Sequence, residues 1–151
     1  MTLEIGKKAP LFTLKDQTDK KISLKDLLGK KIILYFYPRD MTPGCTTEAC
    51  DFNENLAIIK KKKAIVLGVS TDSIEKHAKF AEKYGLKFSL LADENHKVCE
   101  KYGVWQEKNF YGKKSMGIVR STFIIDVNGK ITNIYSKVKV KGHIEKVLEE
   151  I

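Results

Sequence analysis

The stretch Ile32-Ile33-Leu34-Tyr35-Phe36-Tyr37-Pro38-Arg39-Asp40-Met41-Thr42-Pro43-Gly44-Cys45-Thr46-Thr47-Glu48-Ala49-Cys50 joins an apolar run to the start of a helical pattern. Residues 32–37 are apolar without alternation, as in a strand covered on both faces. Beyond the break, Cys45, Ala49, Phe52, Leu56 and Ile59 recur by four, three, four and three, one apolar stripe at helical period. A second apolar run at residues 64–69 completes a strand–helix–strand unit and predicts that its strands pair in parallel. Cys45 therefore falls in the first turn of a helix fed by a central strand.

Thr42 is a good N-cap residue, Pro43 suits the first helical position, and Gly44 lets the backbone pack closely. Unpaired amides and the positive end of the helix dipole favour a thiolate at Cys45. The same amides can stabilise charge developing on a neighbouring oxygen. The plainer reading makes Cys45 a small buried hydrophobe, but the capping pattern and the nearby Cys50 favour redox chemistry. Five helical steps put the Cα atoms of Cys45 and Cys50 about 8–9 Å apart, and a disulfide needs about 7 Å or less. The pair can bridge only if the first turns unwind. The expected route is stepwise: Cys45 is oxidised in a folded pocket, then local unfolding brings Cys50 to it. Cys50 as an incidental half-exposed thiol is the alternative.

Around this unit, short strands are expected near residues 11–14 and 21–23, with Asp16-Gln17-Thr18-Asp19-Lys20 as the turn between them. Ser23 is expected to cap a short helix at residues 24–28 that stops at Gly29. A further helix carries Ile74, Ala78, Ala81 and Tyr84 as its stripe and stops at Gly85. A strand at residues 88–92 precedes a helix at 94–102 capped by Asp93. Residues 105–119 read as an irregular functional loop. Val127-Asn128-Gly129 joins two strands as a hairpin, and Ile144, Val147, Leu148 and Ile151 give the apolar face of a closing helix. Parallel strands, then an antiparallel hairpin and a last helix, match a thioredoxin-like α/β fold. The expectation is one domain over residues 1–151, with a mixed central sheet flanked by helices and an N-terminal β-hairpin extension.

The 151 residues are 42% hydrophobic, enough for a core without a metal or disulfide staple. Met1-Thr2-Leu3-Glu4-Ile5-Gly6-Lys7-Lys8 holds no apolar leader, and no apolar run has membrane-spanning length. A reducing, cytoplasmic setting is expected, where cysteines are catalytic or buried rather than structural disulfides. The net charge of +9 is spread along the chain, apart from Lys60-Lys61-Lys62-Lys63 at a helix end, and no aromatic–basic interleaving suggests nucleic acid. Cys99, beside Val98 and Tyr102, reads as a buried bystander, or else as a spare resolving thiol. His77, His96 and His143 show no metal-ligand spacing. With no phosphate loop or nicotinamide fingerprint, no cofactor is expected and electrons must come from a protein or small thiol.

Pro38, Thr42 and Cys45 resemble the Pro-x-x-x-Thr-x-x-Cys signature of peroxiredoxins, and Thr42-Pro43-Gly44-Cys45-Thr46-Thr47-Glu48-Ala49-Cys50 resembles the peroxiredoxin Q subfamily, or bacterioferritin comigratory protein. Gly103-Val104-Trp105, Tyr111-Gly112-Lys113-Lys114, residues 117–126 and residues 138–143 are similar to the same subfamily, and the likeness runs from Gly6 to Leu148. The resemblance implies that Cys45 attacks the O–O bond of hydrogen peroxide or an organic hydroperoxide. It implies that Cys50 resolves the sulfenic acid as an intramolecular disulfide, reduced by thioredoxin or a similar dithiol. Thr42 would bind the peroxide, Pro38 would shield the site from water, and Arg120 would stabilise the thiolate and orient the peroxide. By residue type alone Arg120 reads as a surface arginine. Met41 stands where the subfamily usually has an acidic residue, and the resemblance implies a monomer. Two rivals stay open: a thiol–disulfide oxidoreductase acting on proteins, which the spacing of five opposes, and a redox sensor or chaperone whose helix unfolds on oxidation.

Overall fold

A computed structural model of the chain describes residues 3–151. Strands β1 (Thr13–Lys15) and β2 (Lys21–Ser23) form an N-terminal antiparallel hairpin. In its turn the Asp16 carboxylate accepts from the Thr18 amide at 2.8 Å and hydroxyl at 2.6 Å, a bond typical of turn aspartates. Helix α1 (Leu24–Leu27) follows. Ser23 holds the N-cap position, but its hydroxyl lies 2.7 Å from that of Thr13 across the hairpin and makes no capping bond.

The rest of the chain runs β3 (Lys31–Phe36), α2 (Pro43–Glu54), α3 (Leu56–Lys61), β4 (Ala64–Ser70), α4 (Ile74–Tyr84), β5 (Ser89–Ala92), α5 (Lys97–Lys101), β6 (Trp105–Phe110), β7 (Lys113–Ile118), β8 (Ser121–Ile125), β9 (Ile131–Tyr135) and α6 (His143–Glu150). The main sheet has seven strands in the order β2-β1-β5-β4-β3-β8-β9. β3, β4 and β5 are parallel, while β8 and β9 add antiparallel. This is the mixed α/β sheet with an N-terminal hairpin that the sequence predicts. On β3, Ile32, Leu34 and Phe36 enter one core layer and Ile33 and Tyr35 the other. Both faces are covered, so the run lacks alternation.

Four local expectations need correction. The stripe from Cys45 to Ile59 is not one helix: it breaks at Asn55 (φ −105°, ψ 11°), whose side-chain amide donates to the Asp51 carbonyl at 2.8 Å. That bond takes an acceptor the helix would otherwise use, the competition expected of asparagine. On α4 the buried face is His77, Phe80 and Ala81, rotated from the expected stripe because a buried histidine reads as polar. Helix α5 starts later than expected, at Lys97, although buried Asp93 still accepts from the amides of Val98 (3.2 Å) and Cys99 (2.8 Å). Residues 105–119 are not an irregular loop but the β6–β7 hairpin, turned at Tyr111 (φ 52°) and Gly112 (φ 78°). β7 is exposed along most of its length, so this hairpin carries little of the alternation that marks a strand with one buried face.

Candidate active site

β3 is an interior strand between β4 and β8, and from its end the chain turns through residues 37–42 into α2. Met41 takes the left-handed conformation (φ 67°) that lets the chain reverse, with its side chain exposed. Thr42 occupies the N-cap (φ −76°, ψ 150°) and Pro43 starts the helix. The Thr42 hydroxyl donates to the Arg39 carbonyl at 2.9 Å instead of accepting from the first turn, which departs from its expected capping role. First-turn amides have no intrahelical acceptor, and here no side chain at the N-cap fills that place.

Cys45 is the third helical residue and is 1% exposed, packed with Tyr35, Ala49 and Phe52. Arg120 reaches it from the link between β7 and β8, where Nη2 donates to Cys45 Sγ at 3.2 Å. A Cβ on Gly44 would lie 3.3 Å from that same Nη2, so glycine leaves room for the guanidinium. The arginine backbone is pinned: Val119 donates to the Val104 carbonyl (2.8 Å) and Val138 to the Arg120 carbonyl (3.0 Å). Its Nη1 donates to Glu48 Oε1 at 2.6 Å. Burial opposes the Arg120 charge, but Glu48 and Cys45 outweigh it and raise its pKa further. Burial pushes Glu48 up to about 7 despite the pull of Arg120. Glu48 thus aims one oxygen at the guanidinium, while Oε2 is buried without a partner among the described residues. The sequence signal for Glu48 is its spacing, three positions beyond Cys45 on the same helical face.

Cys50 is half-buried five positions along the same helix, and both cysteines are free thiols. Burial, then Glu54 and Asp51, raise the Cys50 pKa, so this thiol stays protonated in the folded helix. Cys99 is fully buried in the core layer on the other face of the sheet from Cys45. Burial and Asp93 push its thiol far above the ordinary range. Pro38 is half-buried at the start of the turn.

Further polar groups, missed in the sequence, surround the site. Tyr35 lies beneath it with a buried hydroxyl that has no partner among the described residues, its pKa raised by burial and then by Glu48 and Cys45. Lys108 on β6 is half-buried, its pKa lowered by burial and by Arg120. Asp40, Asp72 and His77 converge under the turn, with one ligand-type atom from each within 4.8 Å of the others. Sequence spacing of the histidines could not reveal this cluster, because two of its members are aspartates on separate elements. Those atoms already exchange hydrogen bonds with one another and with Tyr37, Ser70 and Leu91. Asp40, Asp72 and His77 therefore form one connected hydrogen-bond network beneath the turn.

Residues 5–134 match the model of the AhpC/TSA family. The chain is 51% identical over 148 residues to a putative peroxiredoxin bcp of Coxiella burnetii, covering 98% of each protein. It is 50% identical over 151 residues to peroxiredoxin Bcp of Bacillus subtilis, covering 100% of this chain and 96% of that one. Among solved structures it resembles the Xanthomonas campestris bacterioferritin comigratory protein, described for its alkyl peroxide reduction activity. That match has 40% identity and a TM-score of 0.88 and covers 92% of this chain and 88% of the other. Fold and relatives together define a thiol-dependent peroxidase with a thioredoxin-like α/β architecture. The chain belongs to the AhpC/TSA family, in its peroxiredoxin Q or Bcp group. Among the described residues no helix is long and apolar enough to cross a membrane.

Proposed function

We propose that Cys45 is the peroxidatic nucleophile and Cys50 the resolving thiol of a cycle acting on hydrogen peroxide and organic hydroperoxides. The observation that carries this reading is the Arg120 Nη2 donor, 3.2 Å from Cys45 Sγ in the first turn of α2. A guanidinium and free amides stabilise both a sulfur anion and the oxygen that leaves it. The thiolate attacks the distal oxygen of ROOH, the O–O bond breaks, and the departing RO⁻ takes up a proton to leave as ROH. Sulfur is oxidised to the sulfenic acid. The Thr42 proton is already given to Arg39, so its oxygen is left to accept from the peroxide O–H. Pro38 shields the turn from water.

Resolution follows when α2 loosens. The Cys50 thiol then loses the burial, and the helical approach of Glu54, that help hold it protonated. Its thiolate attacks the Cys45 sulfenic sulfur, and water leaves as the disulfide forms. A dithiol such as thioredoxin reduces the exposed bond. Cys45, Cys50 and Arg120 lie close enough within one chain for the cycle to need no residue from a second copy. A cycle that leaves its thiols free in the resting state fits the cytoplasm. In the test, Cys45→Ser loses peroxide turnover entirely, whereas Cys50→Ser completes the first oxidation and accumulates a sulfenic acid that dimedone traps. Turnover retained by Cys45→Ser would overturn the assignment.

A further inference from the structure

Under the turn that leads into α2, three elements meet in a buried polar knot. Asp40 lies in the turn, Asp72 follows β4, and His77 is on α4 with no exposed surface. The Asp40 amide donates to Asp72 Oδ2 at 2.8 Å, and the Ser70 hydroxyl donates to the same oxygen at 2.8 Å. Asp40 Oδ1 accepts from the Tyr37 hydroxyl at 2.6 Å, and Oδ2 lies 2.7 Å from His77 Nδ1. His77 Nε2 sits 3.0 Å from the Leu91 carbonyl, so it must donate there, and one proton is shared between Nδ1 and Asp40. Tyr37 is itself tied to the sheet, donating its amide to the Val69 carbonyl at 3.0 Å.

One residue later the chain changes character. Met41 is 42% exposed and left-handed at φ 67°. Among the described residues Thr42 Oγ1 bonds only back to Arg39, and Pro43 and Gly44 follow. The boundary between a clamped segment and a releasable one thus falls between Asp40 and Met41.

We infer that Asp40, clamped by Tyr37, Asp72 and His77, is a positioning residue that fixes where α2 begins. The unwinding that joins Cys45 to Cys50 starts at Met41 and leaves residues 37–40 in place. The clamp holds Cys45 against Arg120 in the reduced enzyme, and after reduction it offers the helix a fixed end from which to reform, easing a costly nucleation. The inference rests on the assignment of Cys45 and Cys50 made above.

Tyr37→Phe keeps the buried ring and removes one donor from Asp40. Ser70→Ala removes one donor from Asp72 and disturbs packing less. In rapid-quench mass spectrometry, Tyr37→Phe should oxidise Cys45 more slowly, by up to about tenfold, the largest population change that losing one buried hydrogen bond brings. Disulfide formation should be equal or faster, and less Cys45 should reach the sulfinic acid at excess peroxide. Ser70→Ala should shift all three readouts the same way, by less. A general loss of structure would slow both steps together, and that result, or wild-type rates in both variants, would overturn the inference. In wild-type protein, oxidation should expose amides of α2 to exchange while those of Tyr37 and Asp40 stay protected. If the Cys45–Cys50 bond forms but those two amides lose protection, the clamp fails and the catalytic reading stands. If no such bond forms, both fall.

Discussion

Arg120 touches two partners with opposite demands, the Cys45 sulfur and the Glu48 carboxylate, at 3.2 and 2.6 Å. Replacing it with methionine removes a donor aimed at the reacting atoms and leaves Glu48 buried without a counter-charge. The first loss should slow Cys45 oxidation by about 10²–10³-fold in stopped-flow, the scale seen when one such donor is deleted. The second raises the Glu48 pKa further, so the carboxyl takes up a proton, and the fold should lose about 1–3 kcal/mol in urea unfolding, the cost of an unsatisfied buried polar group. Glu48 also sets a pH dependence. Its pKa rises from 4.5 to about 7 on folding, so the folded chain holds the extra proton in between. The associated stability is complete below about 4.5 and is lost as pH rises through about 7. Against Glu48→Gln, the wild type should lose roughly 3 kcal/mol of relative stability across that window, and parallel urea curves for the pair would refute it. Cys99, shut in the opposite core layer, should resist iodoacetamide until the chain unfolds, and Cys99→Ala should leave peroxide turnover unchanged.

At the scale of elements, α2 rests on an aromatic stack. Tyr35 of β3 lies against Phe52 at 4.7 Å between centroids and against Tyr37 at 5.4 Å. Gly68 of β4 makes room for it, since a Cβ there would come within 2.9 Å of Tyr35 Cζ and Oη. Gly68→Ala should cost about 1–3 kcal/mol as overpacking and slow Cys45 oxidation by tilting α2, an outcome read by urea unfolding and stopped-flow. Wild-type values of both would show that the stack does not support the helix. The same elements show what the sequence made visible. β3 and the strand–helix–strand unit could be read because a doubly covered strand and a helical stripe leave continuous periodic patterns. The β6–β7 hairpin could not be read, because β7 is exposed along most of its length and little alternation marks it. Arg120 and the Asp40–Asp72–His77 cluster could not be read from spacing, because their contacts join residues from separate elements. Arg120 emerged through family likeness, whereas the Asp40 cluster emerged only in three dimensions.

Across the whole molecule, the two thiols sit on one helix while the groups that contact Cys45 and the turn before it lie on α4 and beside β8 and β4. Such an arrangement would let the first turns of α2 unwind against a fixed sheet. The proposal predicts a redox-dependent local stability: the reduced form should be tight at Cys45, and a disulfide form should be loose from Met41 onward. One titration tests this most directly. Reduced protein is treated anaerobically with one equivalent of hydrogen peroxide, and its peptides are mapped by mass spectrometry without reduction. The account predicts a Cys45–Cys50 link within one chain as the main product, with Cys99 recovered as a thiol. A link through Cys99, a link between chains, or an unoxidised Cys45 would contradict it.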